Sequence, residues 1–383
     1  MVSIWLPTFA AVVIAINTRI LSGDNAAAKL LTDYFISIAA SNTAHQFYFI
    51  SNNEKLPASF LSNVKYIAIK QQSANPLFWK LWYNYKLPAA LKKIKADVLV
   101  SADGIGSLRT KLPQCVCVNG LAFLLHPEWY SKNYVRFINA NMPASFQKAK
   151  QIFAFSNVVK NEIAKQFKVG EEKIITASFF INKTATPLSS EENEAVKQKF
   201  ADGNEYFLFY GAIHSRSNLT NLLKAFSLFK KRQKSTMQLV LVTDSIPAKN
   251  AFVESLLLYK YRDDVKMYEI NNDKEIARLV AAAWCCISLS PWHSDIIFLQ
   301  NALQCQVPVI AGNSSQAKEL LDGAALYSNP DIIESIAEKM MLVYKDEALS
   351  NQLVSEGKRL LAANNKTKLH EYLWQHIVSI TQK

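Results

Sequence analysis

The hydrophobic positions of this chain fall into short runs that alternate with amphipathic stretches. Apolar runs of roughly four to eight residues are typical of strands covered on both faces, and the stretches between them have helical spacing. This alternation predicts βαβ units and parallel sheets, an α/β fold. The predicted strands are 12–17, 46–51, 64–69, 97–102, 114–119 and 151–156, followed by 206–211, 237–243, 265–270, 285–290 and 307–312.

The two series of strands indicate two Rossmann-like domains separated by a polar connector. We predict an N-terminal domain over 1–183, a linker over 184–204 and a C-terminal domain over 205–360, with a helix over 361–383 that crosses back to the first domain. The first series ends in "NVVKNEIAKQFKV", which predicts a helix capped by Ser156 or Asn157. Two doubly wound halves would leave a ligand-binding cleft at the carboxyl ends of their strands.

The net charge of the chain limits the classes of partner that we expect. The formal net charge is +12 and the pI is about 9.3. Such a balance is typical of a solvated basic surface, or of attraction to anionic lipid or another polyanion. No zinc-finger, RNA-binding or basic-zipper pattern occurs, so we expect no nucleic-acid partner.

Cysteine usage and hydropathy bear on location. The five cysteines include no CxxC pair, so we expect neither a disulfide framework nor a zinc site, as in a reducing cytoplasm. The opening stretch is apolar but interrupted at Pro7, and it is shorter than the roughly 20 residues that span a bilayer. We therefore expect a cytoplasmic protein.

One stretch, "NPLFWKLWYNYKLPAALKKIK" (75–95), interleaves aromatic residues with lysines. It predicts peripheral contact with an anionic membrane on its inner face, or with a lipid-linked acceptor. The alternative is that the aromatic side chains pack inside the protein while the lysines face water. The aromatic residues are Phe78, Trp79, Trp82, Tyr83 and Tyr85, and the lysines are Lys80, Lys86, Lys92, Lys93 and Lys95.

Several segments, taken in order, resemble one enzyme family. The segment 205–244, "EYFLFYGAIHSRSNLTNLLKAFSLFKKRQKSTMQLVLVTD", is similar to the start of the donor domain of retaining GT-B glycosyltransferases of family 4, the glycosyl transferases group 1. The segment 304–330, "QCQVPVIAGNSSQAKELLDGAALYSNP", resembles that family's acidic helix, Pro-Val-Ile strand and following loop. "IAINTRIL", "VCVNGLAFLLHPEWY" and "AKQIFAFSNVVKNEIAKQFKVGEEKI" resemble its N-terminal segments.

The resemblance implies a fold and an activity. The expected fold is GT-B, two Rossmann-like doubly wound domains facing a central cleft. The expected reaction transfers a hexose from a nucleotide-sugar to a glycan or lipid-linked acceptor in cell-surface polysaccharide assembly. No metal or other cofactor is expected, because in this family an Arg, a Lys and a helix N-terminus neutralise the leaving diphosphate.

The donor loop "GAIHSRSN" departs from the family pattern. Ala212 stands where the resemblance implies an Arg, and Ser217 where it implies a Lys. Arg216 is the cation nearest both positions, and is either a phosphate contact or a solvated loop residue. The backbone amides of 217–219 are a further candidate anion site. The donor-binding candidates in this loop are Gly211, His214, Arg216, Ser217 and Asn218.

The acidic helix has also lost its carboxylates. His293 and Asn301 replace the Glu-x7-Glu pair of the family, and Ser294 begins the replacement of its Gly-Phe-Gly. His293 is a candidate catalytic residue, while Ser294, Asn301 and the retained Glu319, in the loop after "PVIAG", are donor-binding candidates. For His293 and Asn301 the alternative is a residue that merely lines the cleft.

The first half supplies the remaining candidates. Asn119 and Gly120 replace the family's His-Asp, which makes Asn119 the second candidate catalytic residue. The loop "SGDNAAAK" lacks the family's close pair of glycines. Its Gly23, Asp24 and Asn25 are candidates on the acceptor side.

Two functions remain open at this point. The chain is either a glycosyltransferase with an altered donor site, or a catalytically inactive homologue that binds a sugar, a nucleotide or a partner protein. The resemblance favours the first, and the missing charges favour the second.

Overall fold

The computed structural model describes residues 11–21, 25–52, 61–70, 75–177, 185–246, 250–291, 293–363 and 366–381. The strands are β1 Val13–Asn17, β2 Gln46–Ser51, β3 Val64–Ala68, β4 Val98–Ser101, β5 Gln114–Val118, β6 Gln151–Ala154, β7 Ile174–Thr176, β8 Tyr206–Tyr210, β9 Gln238–Thr243, β10 Val265–Glu269, β11 Cys285–Ser288, β12 Val309–Gly312 and β13 Leu326–Ser328. The helices are α1 Asn25–Ser41, α2 Pro76–Leu81, α3 Leu87–Lys93, α4 Ala122–Leu125, α5 Lys132–Lys148, α6 Asn157–Phe167, α7 Ser190–Ala201, α8 Leu219–Gln233, α9 Ala251–Leu257, α10 Asp273–Ala281, α11 His293–Gln304, α12 Ser315–Leu321, α13 Ile333–Lys345, α14 Glu347–Ala363 and α15 Lys366–Ser379.

The chain divides into two compact units. Unit 1 comprises Met1–Ser178 and Thr367–Lys383, and unit 2 comprises Phe179–Lys366. Unit 1 contains a parallel sheet in the order β3-β2-β1-β4-β5-β6-β7, and unit 2 contains one in the order β10-β9-β8-β11-β12-β13. All eleven predicted strands are present, and the predicted α/β class with two Rossmann-like domains is confirmed.

Both sheets follow a doubly wound order with a switch point near the middle. In unit 1 the order reverses between β1 and β4, and in unit 2 it reverses between β8 and β11. At such a point the loops after neighbouring strands diverge to opposite faces of the sheet and leave a crevice, where ligands bind in this class of fold. The topology therefore marks one candidate crevice in each unit.

The core explains why the strands read as continuous apolar runs. Along β8, Tyr206 and Leu208 belong to one buried cluster, while Phe207 and Phe209 belong to a second. Alternate side chains of a strand point to opposite faces, so helices cover this sheet on both sides. A strand buried on both faces has no polar face to reveal its period.

Helix α15 completes unit 1 from the far end of the chain. The ring of Trp374 lies 4.7 Å from that of His45 and 5.8 Å from that of Phe47. His376 shares a 3.0 Å hydrogen bond with Gln151, and Leu373 and Ile377 are buried. These contacts attach α15 to residues around β2 and β6.

The aromatic and lysine stretch divides between core and surface. Trp79, Trp82 and Tyr83 are buried, and the Trp82 indole donates to the Ile69 carbonyl at 3.0 Å. The packing alternative is right for these three, and a membrane role for their rings was wrong, because they fill the space between helix and sheet. Phe78 and Tyr85 are about half exposed.

The cysteines and the hydropathy of the helices add two facts. All five cysteines are free and buried, and burial raises the pKa of every one of these thiols. Among the described helices, none combines the length and the apolar character needed to cross a membrane.

Candidate functional site

The crevice of unit 2 opens where β8 ends. Gly211 follows β8 directly and has φ +154°, a backbone conformation that favours glycine. A Cβ atom on Gly211 would lie 3.2 Å from the Phe209 ring and 3.7 Å from a carboxylate oxygen of Asp295. The added atom would be crowded by the Phe209 ring but in ordinary contact with Asp295, so the first turn of α11 lies beside the end of β8.

The loop after Gly211 is closed by its own hydrogen bonds. The Ser217 hydroxyl donates to the Ala212 carbonyl at 2.7 Å, and Ser217 is buried. The His214 Nδ1 accepts from the Arg216 amide at 3.2 Å, so its proton, when the ring is neutral, is on Nε2. The side chains of Ser217 and His214, two of the predicted donor-binding residues, thus form hydrogen bonds within the loop itself.

Helix α8 follows this loop, and its first turn was predicted to offer amides to an anion. The amides of Ser217 and Asn218 donate instead to the carbonyls of His214 and Ser215, so the prediction was wrong for these two. They are used because the chain makes a 3-10 turn over Ser215–Ser217 before the helix begins. Within the described residues, the amides of Leu219 and Thr220 have no hydrogen-bond partner and remain available.

Asn218, the residue before α8, connects the start of this helix to another segment of the chain. It adopts a left-handed conformation, φ +53°, and its side chain does not cap the helix. Its amide nitrogen donates to the Pro330 carbonyl, which also accepts from Asn221 at 3.0 Å. The Asn218 side chain thus ties the donor loop to the segment before α13.

The acidic helix contributes a carboxylate that our sequence analysis did not select. Asp295 lies in the first turn of α11, half-buried, beside Gly211. Burial raises the pKa of Tyr210 well above its usual range, and the carboxylates of Asp244, Asp273 and Asp295 raise it further. The Tyr210 hydroxyl donates to Asp244 at 2.9 Å. The crevice therefore concentrates carboxylates around one phenol.

The other predicted residues of α11 are placed less completely. His293 and Ser294 begin the helix, but their side chains lie outside the described part of the structure. The Asn301 Oδ1 is buried and, in the described part of the chain, accepts no hydrogen bond. Asn301 lies about 1.7 turns after Asp295, on the same helix.

Strand β12 closes the far side of this crevice. A Cβ atom on Gly312 would lie 2.6 Å from the carbonyl oxygen of Leu289, so only glycine fits between the ends of β12 and β11. Glu319 was expected in the loop after this strand, and that placement was wrong. Ser314 caps α12 by accepting from the Ala317 amide, which places Glu319 inside the helix.

The acceptor-side predictions fall in unit 1. Asn119 follows β5 directly and is half-buried, and a Cβ atom on Gly120 would meet nothing within 4 Å. Asn25 is the first residue of α1, and its side chain lies outside the described residues, as do Gly23 and Asp24. These candidates therefore stay predictions.

Comparison with known proteins bears on the predicted resemblance. The model of the glycosyl transferases group 1 matches residues 190–360, within unit 2. This segment is similar to the glycosyl transferases group 1. The resemblance predicted from the donor loop and the Pro-Val-Ile strand is confirmed.

Two relatives are about a fifth to a quarter identical to this chain over the aligned residues. It is 22% identical over 273 residues to the O-antigen chain mannosyltransferase B of Escherichia coli, covering 67% of this chain and 65% of that protein. It is 24% identical over 257 residues to the O-antigen chain mannosyltransferase RfbU of Salmonella typhimurium, covering 66% of this chain and 67% of that protein. The chain thus spans about two thirds of the length of each.

Solved structures share the fold of this chain over nearly its whole length. WaaG, a glycosyltransferase involved in lipopolysaccharide biosynthesis, superposes with a TM-score of 0.74 at 14% identity, covering 96% of this chain and 99% of that one. Anabaena Alr3699/HepE, solved in complex with UDP-glucose, gives the same TM-score, identity and coverage. The fold is that of the GT-B glycosyltransferases, as predicted.

The charges around the crevice of unit 2 differ from the expectation. Asp244, Asp273 and Asp295 supply carboxylates near Tyr210, while the expected cation positions are held by Ala212 and Ser217. Carboxylates accept hydrogen bonds from sugar and ribose hydroxyls, whereas phosphates require cations or amides. The site is therefore better equipped for hydroxyl groups than for phosphate.

Proposed function

We propose that the chain transfers a hexose from a nucleotide-sugar to a glycan or lipid-linked acceptor in the assembly of a cell-surface polysaccharide. The proposal rests chiefly on the crevice between Gly211 and Asp295, at the switch point of a group 1 domain. Both O-antigen relatives are mannosyltransferases, which supports mannose as the sugar. The UDP-glucose complex of a neighbour of the same fold supports a nucleotide-sugar as donor.

In this proposal different residues of unit 2 bind the hexose, the ribose and the diphosphate of the donor. The Asp295 carboxylate accepts from hydroxyls of the hexose, and Asn301 offers a buried carbonyl oxygen to the ribose. Arg216 and the free amides at the start of α8 receive the diphosphate. His293 and Asn119 stay candidates for the reacting centre.

The test compares donor binding and turnover in matched carboxylate variants. The protein is titrated with GDP-mannose and UDP-glucose, and release of free sugar is followed. Asp295→Asn should weaken donor affinity by roughly tenfold, because a charge-assisted hydrogen bond becomes a neutral one. The control is Asp263→Asn, whose side chain is 95% exposed. Equal donor affinity of the two variants would remove Asp295 from the site.

One observation favours the second candidate, a binding protein without turnover. Ser217 occupies an expected cation position and is buried with its hydroxyl bonded inside the loop. With fewer cations the leaving diphosphate is less well stabilised, and that affects rate more than binding. Donor binding without sugar release or transfer would establish this candidate. Binding with release would exclude it.

We also propose that unit 1 contacts an anionic membrane on its cytoplasmic side. Leu77, Phe78, Leu81 and Tyr85 are 40% to 61% exposed and recur at one-turn spacing along α2 and the following turn. The surrounding exposed lysines would meet anionic head groups. Vesicle co-sedimentation with and without anionic lipid tests this, with Phe78→Ser as the variant and Leu258→Ser, 90% exposed in unit 2, as the control. Equal binding of both variants would refute it.

A further inference from the structure

The switch point of unit 1 places an arginine and an aspartate on its two loops. Arg19 is the second residue after β1, and Asp103 is the second residue after β4, the neighbouring strand. Loops at a switch point leave a crevice at the carboxyl ends of the strands. Asp103 also adopts φ +60°, a conformation that is uncommon outside glycine and concentrates at functional sites.

The Arg19 guanidinium is buried without a hydrogen-bonding partner. Only 4% of Arg19 is exposed, and within the described residues its Nε and Nη1 atoms donate no hydrogen bond. Its guanidinium carbon lies 4.8 Å from the ring centroid of Trp82 and 5.8 Å from that of Tyr83. Burial lowers the pKa of Arg19, and the charges of Tyr83 and Asp103 partly offset this.

A buried polar network holds the Arg19 backbone in place. Its amide donates to the Asn17 side chain at 3.1 Å, and Asn17 donates to the Ser101 hydroxyl at 2.7 Å. Ser101 donates in turn to the Ile105 carbonyl at 2.6 Å. Asn17 and Ser101 are fully buried, so the position of Arg19 is fixed by both loops.

The nearby aspartate holds the loops together. Asp103 accepts the Leu21 amide on one oxygen at 2.9 Å and the Tyr134 hydroxyl on the other at 3.2 Å. A structural buried arginine usually makes paired hydrogen bonds to a carboxylate, and no such bond joins Arg19 to Asp103 in the described structure. Two nitrogens of a planar fork that suits phosphate are thus left unused.

We propose that Arg19 binds a phosphate group of a ligand at the β1–β4 switch point. Resting on the proposed function, the phosphate has two sources, the diphosphate of the nucleotide-sugar donor or a phosphate of a lipid-linked acceptor. In this proposal the phosphate accepts hydrogen bonds from the Nε and Nη1 atoms, which are buried and donate to no described residue. The site belongs to unit 1, whereas the loop after β8, to which the resemblance assigns phosphate, belongs to unit 2.

The experiment uses Arg19→Met, which keeps the bulk over Trp82 and removes the charge. The control is Arg109→Met, because Arg109 stacks on Tyr85 at 4.5 Å on the surface of the same unit. Inorganic pyrophosphate, UDP and GDP are titrated into the full chain at constant ionic strength. Arg19→Met should weaken pyrophosphate binding by about ten- to a hundredfold and unfold at the same temperature as the wild type or higher. Arg109→Met should bind as the wild type does.

The nucleotide titrations distinguish the two sources. If the donor is the source, UDP or GDP affinity falls with Arg19→Met and each nucleotide competes with pyrophosphate. If the acceptor is the source, nucleotide affinity is unchanged and pyrophosphate binds together with the nucleotide. Suppose that nucleotide-sugar binding is lost in Asp295→Asn but kept in Arg19→Met. That result concerns only the donor site of unit 2, so the two proposals can fail separately.

Two results would overturn the proposal. One is equal pyrophosphate affinity in Arg19→Met and the wild type. The other is an equal loss of pyrophosphate affinity in Arg19→Met and Arg109→Met, which would assign the binding to surface charge rather than to the buried Arg19 guanidinium.

Discussion

The contact between Gly312 and Leu289 allows a sharp prediction. In Gly312→Ala the new methyl group would lie 2.6 Å from the Leu289 carbonyl oxygen and 3.1 Å from its carbonyl carbon. Ordinary contact begins at 3.4 Å, and the obstructing atoms are backbone, so the ends of β11 and β12 must separate. Overpacking of this kind costs about 1–3 kcal/mol. At about 2–4 °C per kcal/mol for a unit of this size, the melting temperature falls by several degrees.

The same substitution should also weaken the binding of the donor. Leu289 begins the loop that leads from β11 to Asp295, so a shifted Leu289 carbonyl misplaces the carboxylate beside Gly211. Thermal unfolding and GDP-mannose titration are measured on the same preparations. Gly120→Ala is the matched control, because nothing lies within 4 Å of its added methyl group. Equal melting temperatures and affinities for the two variants would refute the argument from close approach.

Three further predictions concern stability. Ser217→Ala removes the hydrogen bond to Ala212 and should lower the free energy of unfolding by about 1 kcal/mol in urea, and an unchanged value would mean that the loop is held otherwise. Burial lowers the pKa of His45, so the unfolded chain takes up its proton first and stability is lost as pH falls below about 6.5. His45→Gln should therefore show a smaller loss of melting temperature between about pH 7.5 and pH 5.5 than the wild type, and an equal loss would contradict this. Trp374→Ala should destabilise unit 1 by roughly 2–4 kcal/mol, seen as earlier proteolysis of that unit, whereas uniform proteolysis of both units would count against it.

The sequence predicted the strands of four or more residues and missed those of three residues. Strands such as β8 and β9 are buried on both faces, so their apolar runs are unmistakable. Strands β7 and β13 have three residues each and lie at sheet edges, where so short a run cannot be told from a loop. Fold class follows from the first kind of strand, and the omission of the second kind did not change it.

The sequence indicated which segments border the switch point of unit 2, but not how their side chains are used. The donor loop and the start of α11 lie at the switch point, as the order of the segments implies. What the resemblance could not supply is how each side chain is used. Ser217 bonds inside its own loop, and Asp295 stands where the resemblance implies the phenylalanine of the Gly-Phe-Gly. Arg19 was missed because nothing in "NTRIL" shows that its guanidinium is buried against Trp82, a residue distant in sequence.

The division of the chain bears on how the protein is made. Unit 2 is continuous, whereas unit 1 needs α15, whose residues are synthesised after all of unit 2. Domains generally fold as units while the chain emerges from the ribosome, the N-terminal one first. Here the N-terminal unit should be completed last, because His45 and Phe47 cannot contact Trp374 until translation has passed residue 374. The first unit begun is the last one finished, and during that interval a nascent chain exposes the face of unit 1 that chaperones would have to shield.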